Sequence, residues 1–251
     1  MRCKVDTLPL HREDGYALHP ERLEGQLNST AYDMVVIVNP NSPTGGHVPR
    51  RELEKILERV PRTTRVWIDE TYVEFAGTGE SLESFAVHSA NVVVCKSMSK
   101  VYGLSGARAA YLCAPATLAH ALREITPPWA VSLPAQVAAV NALDDPDYYS
   151  ERYRETHLLR DDLTRSLREA GFEVSPSVTN FLLCHLPAGS PSAALVSQRS
   201  RDRGLYLRTG SEISEVLGEN TLRIAVKDST TNEKMMAILR WATQPKIRQN
   251  I

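Results

Sequence analysis

Met34-Val35-Val36-Ile37-Val38-Asn39-Pro40-Asn41-Ser42-Pro43-Thr44-Gly45 is the stretch from which the rest of the chain is best read. Five apolar residues in a row, closed by Asn-Pro, predict a short buried strand that stops where proline removes the next N–H donor. Residues 52–60 follow with Leu53, Ile56, Leu57 and Val60 at helical spacing. Further aliphatic runs at 65–68, 91–95 and 109–113 repeat the theme. Runs apolar on both faces, with helices between some of them, predict a largely parallel sheet covered on both sides. Only a loop separates Cys95 from Ala109, too little for a crossover helix. The last pair is therefore expected to be antiparallel or to reverse tightly.

Beyond Pro127-Pro128-Trp129 the pattern changes. A helix is expected over 135–143, and a long charged one over 147–170 that stops at Gly171, a good capping residue. Strands are expected over 172–174, 180–185, 205–208 and 221–226, with helical stretches near 192–203 and 232–241. This is an α+β pattern, and it divides the chain into a larger α/β domain over 1–146 and a smaller domain over 147–251.

Composition excludes several classes. The 251 residues hold 29 Lys and Arg against 30 Asp and Glu, a net charge of −1. No cationic excess exists to neutralise phosphates, so neither a nucleic-acid partner nor an anionic membrane is expected. No apolar run reaches the length of a membrane span, and Met1-Arg2-Cys3-Lys4 opens directly into mixed sequence, unlike a secretory leader. Cys3, Cys95, Cys113 and Cys184 are scattered without a Cys-x-x-Cys pair and read as reduced thiols of a cytoplasmic protein. Seven histidines show no paired ligand spacing, so no metal is expected. Gly77-Thr78-Gly79 and Gly103-Leu104-Ser105-Gly106 complete neither a Walker loop nor a dinucleotide fingerprint.

Ligands of α/β sheets dock beyond the carboxyl ends of the strands. Three clusters fall there: Asn39 to Gly45, then Asp69-Glu70-Thr71-Tyr72, then Ser97-Met98-Ser99-Lys100 with Arg108 eight residues later. Singly, each has an ordinary explanation as a turn, a helix cap or a solvated charge. In this order they carry more weight together than apart.

The ordered set resembles the fold-type I pyridoxal-phosphate enzymes, and within them the class I/II aminotransferases of the histidinol-phosphate aminotransferase-like kind. The resemblance runs from about Met34 to Val226. It implies a fold-type I large-domain sheet, here without its N-terminal part, followed by a smaller α+β domain. Pyridoxal 5′-phosphate is the implied cofactor, an amino donor and a 2-oxo acid acceptor the implied substrates, and a homodimer the implied complete form. Lys100 matches the lysine that holds the cofactor as a Schiff base. Such a lysine is expected to be partly desolvated or near other cations, so that a neutral amine is available. Asp69 matches the carboxylate beside the ring nitrogen, and Tyr72 the phenol that bonds the 3′-oxygen. Ser97, Ser99 and Arg108 match the phosphate anchors, a role suited to hydroxyls and a planar guanidinium. Arg223, in Leu222-Arg223-Ile224-Ala225-Val226, matches the arginine that pairs with the substrate α-carboxylate. Arg208 and Asn180 are candidates for the substrate's distal group or for local architecture alone.

Two departures stand out. Ser42 occupies the place where many relatives carry an asparagine that bonds the 3′-oxygen, and Asn41 stands one place earlier; either is a candidate for that contact. Relatives also carry a substantial segment ahead of the region matching Met34, with part of the phosphate cup and an aromatic ring that stacks on the cofactor. Only about thirty residues precede Met34 here. Thr126-Pro127-Pro128-Trp129-Ala130-Val131 with Gln136 resembles the threonine-phosphate decarboxylase-like branch, so decarboxylation is an alternative to amino-group transfer. A non-catalytic truncated form is a third reading.

Overall fold

The computed structural model describes residues 3–245; Met1-Arg2 of the opening segment and residues 246–251 lie outside the described part. The chain forms two compact units. The first runs as far as Tyr153 without Pro43–Gly45, and the second holds Pro43–Gly45 and the chain from Arg154 onward.

In the first unit, α1 (Pro20–Ser29) leads into β1 (Met34–Val38), α2 (Arg50–Leu57), β2 (Arg65–Asp69), α3 (Glu83–His88), β3 (Val92–Ser97) and β4 (Ala110–Cys113). The strands form one sheet in the order β1-β2-β3-β4. The first three are parallel, and β4 runs antiparallel to β3, as the short connection requires. Ile37, Val66, Ile68, Val92 and Val94 point to one face and pack with Leu53, Ile56 and Leu57 of α2 and Ala86 of α3. Burying each such side chain contributes about 1.5–3 kcal/mol. The other face meets the expectation of a sheet covered on both sides only in part, for Val93 on it is buried while residues toward the edges are not. Val36 is 60% exposed and Leu112 42%. Strand alternation sends Val36, Trp67, Asp69, Cys95 and Leu112 to that face, while α2 and α3 both lie on the core face.

After β4 come α4 (Ala116–Ile125), α5 (Leu133–Leu143) and the long α6 (Pro146–Glu169). Ser132 caps α5, its side chain accepting from Ala135 N. α1, α3 and α4 escaped the sequence reading: α4 buries no residue, and α3 is only six residues long. Ala135 and Ala142 of α5 pack with Met98 and Ala109 in a second cluster.

The second unit is an antiparallel sheet in the order β5-β6-β8-β7, built from β5 (Glu173–Val174), β6 (Phe181–His185), β7 (Arg208–Thr209) and β8 (Thr221–Ala225). Leu163 and Leu167 of α6, Ala193 and Val196 of α7 (Ala193–Arg201) and Met235, Met236 and Leu239 of α8 (Ser229–Ala242) pack on Leu182, Cys184, Leu222 and Ile224. Gly171 takes φ 86° directly after α6, a left-handed conformation that ends the helix at little cost. The strand expected over 205–208 is reduced to Arg208–Thr209. Residue 205 instead closes the end of α7, Leu205 N donating to Ser200 O at 2.9 Å. Leu205 and Leu207 reach the core from that turn without strand pairing. Among the described residues, no helix is long and apolar enough to cross a membrane.

Candidate active site

Three of the predicted clusters meet at the carboxyl edge of the parallel strands. Asn39 follows β1 and its N–H donates to Asp69 O at 3.0 Å, extending the ladder past the strand end. The buried Asn39 carboxamide donates to Val48 O at 2.9 Å and accepts from Val48 N at 2.8 Å, which closes the loop from 40 to 47. Inside it, Asn41 N donates to Gly46 O at 2.7 Å. Asn41 is half-buried and Ser42 exposed.

Asp69 ends β2, half-exposed, on the sheet face opposite α2 and α3. Thr71 donates to Asp69 Oδ1 twice, from its N–H at 2.9 Å and from Oγ1 at 2.5 Å. Both bonds fall on Oδ1, so Oδ2 is the oxygen left to a ligand. Tyr72 is buried at the head of the 3-10 turn Val73–Phe75. Asp69 and Cys95 are register partners on β2 and β3, which places Ser97 two residues further along the neighbouring strand. Ser97 Oγ donates to Ser99 Oγ at 2.9 Å, bringing two hydroxyls together. Between them Met98 is buried and anchors the loop, its carbonyl accepting from Leu104 N at 3.0 Å. Lys100 stands exposed on that loop. Of the two alternatives expected for it, partial desolvation or neighbouring cations, the first is not met within this chain. Arg108 is also exposed, just before β4, and holds φ 54°. A left-handed arginine is uncommon, and such backbone conformations cluster at functional sites.

The buried lysine of this region is a different one. Lys96 Nζ lies 2.6 Å from Glu74 Oε1, 3.6 Å from Glu70 Oε2 and 3.9 Å from Glu83 Oε2. Glu70 also accepts from Ser81 Oγ at 2.6 Å and Leu82 N at 2.7 Å. Burial pushes the Glu70 carboxyl above the usual range, against its hydrogen bonds and Lys96. Burial disfavours charge on Lys96, yet Glu74, Glu83 and Glu70 together hold its pKa above the ordinary lysine value. Around the cluster, burial and then Glu74 push the Tyr102 phenol up to about 12, and burial and then Glu83 push the Cys113 thiol up to about 11. Sequence reading missed this cluster. Its available signal was a lysine at an inward position of β3, in phase with Val92 and Val94.

The remaining candidates belong to the second unit. Arg208 and Arg223 are register partners on β7 and β8, so their side chains share one face. The Arg223 guanidinium lies 3.8 Å over the Phe181 ring. Asn180 precedes β6, its carbonyl accepting from Val226 N at 2.9 Å. Among the described residues no group of His, Cys, Asp and Glu could hold a metal ion.

The model of the family described as aminotransferase class I and II matches residues 1–240. The chain belongs to this family. Among aminotransferases, it is 36% identical over 211 residues to histidinol-phosphate aminotransferase 2 of Carboxydothermus hydrogenoformans, covering 82% of this chain and 56% of that protein. It is 33% identical to an aromatic amino acid aminotransferase of Mycobacterium sp. (strain KMS), covering 84% of this chain and 57% of the relative. The solved histidinol-phosphate aminotransferase of Sinorhizobium meliloti, in complex with pyridoxal-5′-phosphate, superposes with a TM-score of 0.81 at 25% identity. That match covers 90% of this chain and 61% of the aminotransferase chain. The fold is thus that of the family's α/β enzymes, over part of their length. The chain spans about half the length of the curated relatives it matches.

Proposed function

We propose that this chain carries the catalytic residues of a pyridoxal-phosphate-dependent aminotransferase acting on an amino acid or amino-acid-like substrate, phosphorylated or not. One observation carries the reading: Asp69, the Ser97–Ser99 hydroxyl pair and the exposed Lys100 amine share the carboxyl edge of two adjacent parallel strands. That donor set fits the cofactor, since a carboxylate suits a protonated ring nitrogen, hydroxyls suit a phosphate, and a primary amine suits the aldehyde. Once bound, the cofactor supplies an electron sink for breaking a bond at the substrate Cα.

The chain's own residues do the rest. Asp69, its Oδ1 fixed by Thr71, holds the ring-nitrogen proton through Oδ2. Tyr72 and either Asn41 or Ser42 bond the 3′-oxygen, while Ser97, Ser99 and Arg108 take the phosphate. Lys100 anchors the cofactor and, once freed by the substrate, moves the α-proton through Nζ. Arg223 receives the α-carboxylate as a bidentate partner, and the opposed Arg208, with Asn180, serves a second polar or anionic group. A cytoplasmic location and a homodimer in the complete form go with this reading.

The test is to add pyridoxal phosphate to the purified chain, reduce with borohydride and map the modified residue by mass spectrometry. Modification at Lys100, absent from Lys100→Ala, is expected; equal labelling of both proteins removes the assignment. With amino acids supplied, transfer to 2-oxoglutarate supports the reading. Carbon dioxide release without transfer would favour the decarboxylase alternative that 126–131 suggests.

A further inference from the structure

We infer that Lys96 is a positioning residue for this site: its buried ammonium docks the turn carrying Asp69 and Tyr72 onto the strand that leads to Ser97, Ser99 and Lys100. This rests on the function proposed above, and it concerns residues that face the core side of the sheet.

The argument begins with topology. Lys96 immediately precedes Ser97 on β3, and Glu70 immediately follows Asp69 on β2. Glu70 and Glu74 bracket Tyr72, and both carboxylates converge on Lys96 Nζ, at 3.6 Å and 2.6 Å. A third, Glu83, approaches from the first turn of α3 at 3.9 Å. The backbone repeats the link, Glu70 N donating to Cys95 O at 2.9 Å. A single cation thus joins the two loops that hold the candidate cofactor groups.

Charge makes the link one-sided. Lys96 and Glu70 side chains are 5% and 1% exposed, so water screens them little. Three carboxylates within 4 Å of one ammonium leave an excess of negative charge around it. Removing the ammonium leaves buried carboxylates facing one another, a costly arrangement that the least constrained segment relieves by moving away. Glu70 is held by Ser81 and Leu82, whereas Glu74 Oε2 is buried with no hydrogen-bond partner. The 3-10 turn at Val73–Phe75 is therefore the part that shifts, and Tyr72 with it.

The test compares wild type, Lys96→Met and Lys96→Arg by circular dichroism, by hydrogen exchange of the amides at 70–76, and by titration with pyridoxal phosphate. Lys96→Met is expected to fold, to exchange those amides faster than wild type, to bind the cofactor at least about tenfold more weakly, and to shift its absorption band. Lys96→Arg, which keeps the charge, is expected to restore all three. A folded Lys96→Met with wild-type cofactor affinity and spectrum overturns the inference, even if exchange rises, because the cluster is then structural only. If Lys96→Met does not fold, Glu74→Gln is held to the same criteria. A wild type that takes no cofactor at Lys100 defeats the proposed function instead. The exchange comparison then decides the docking role by itself, and unchanged exchange at 70–76 refutes it.

Discussion

Asn39 uses both ends of its carboxamide on one residue, donating to Val48 O and accepting from Val48 N. Both residues are buried, so Asn39→Ala leaves two backbone groups without partners. A loss of about 2–4 kcal/mol is expected, two such bonds at 1–2 kcal/mol each, read as a lower urea midpoint. The cysteines separate by environment in the same way. Cys3 is exposed, burial and Glu83 push Cys113 up to about 11, and burial raises the fully enclosed Cys184 further. At pH 8 a thiol titrating near 11 is about one part in a thousand thiolate. A disulfide reagent should therefore label Cys3 quickly in the native protein, the half-buried Cys113 far more slowly, and Cys184 only after denaturation. Rapid native labelling of Cys113 would contradict the raised thiol beside Glu83. At this scale the sequence was informative about which residues sit in the loops, because Asn, Pro, Ser and Gly mark turns locally. It was silent about which of them are held: Thr71 on Asp69 and Val48 on Asn39 are contacts, not patterns.

The elements follow from periodicity, and their burial does not. In β1, Ile37 is 5% exposed and Val36 60%, although both belong to one unbroken apolar run. Ile37→Ala should cost about 2–5 kcal/mol, a buried-cavity value. Val36→Thr should stay within about 0.5 kcal/mol. Equal effects would mean that both faces of the strand are covered. Gly45 is constrained differently. It holds φ 80°, and a Cβ there would lie 2.1 Å from Ser177 Oγ and 2.5 Å from Ser177 Cβ. Gly45→Ala should therefore lower the melting temperature measurably, since neither the backbone angle nor the neighbour can yield cheaply. The hydrophobic pattern identified every strand of the first sheet, because five-residue apolar runs bounded by turns have few other uses. It failed for 205–208, where the same residue types close the end of a helix, and it missed the short or unburied α1, α3 and α4. α3 is too short to show a helical period, and α1 holds only Leu23 and Leu27 at helical spacing. α4 does carry Leu118, Leu122 and Ile125 on one side, but it buries none of them.

For the whole molecule, the buried ionisable groups of the first unit pull stability in one direction with pH. Lys96 is raised by its carboxylates, and Tyr102, Tyr111 and Tyr153 are raised chiefly by burial. Each binds its proton more tightly folded than unfolded. Their contribution is fully present below the unfolded values, near 10 for tyrosine and lysine, and is lost as pH rises through the folded ones. Urea midpoints should be nearly level from pH 8 to about 9.5 and fall steeply above about 10. A midpoint that stays level to pH 11 would contradict the raised phenols and lysine. Glu70 acts in the acid range with the same sign, its contribution present in full below the ordinary carboxylate value and lost as pH rises through its own raised one. The sequence by itself determined the strands of the first sheet, their largely parallel sense and the ordered set Asn41, Asp69, Lys100 and Arg223, because hydrophobic period and turn chemistry are local and survive without the fold. Only the tertiary structure decided which lysine is buried, which sheet face is closed and which carboxylates share one cation. Those depend on residues that meet across β2, β3 and α3, and desolvation and charge pairing act through space rather than along the chain.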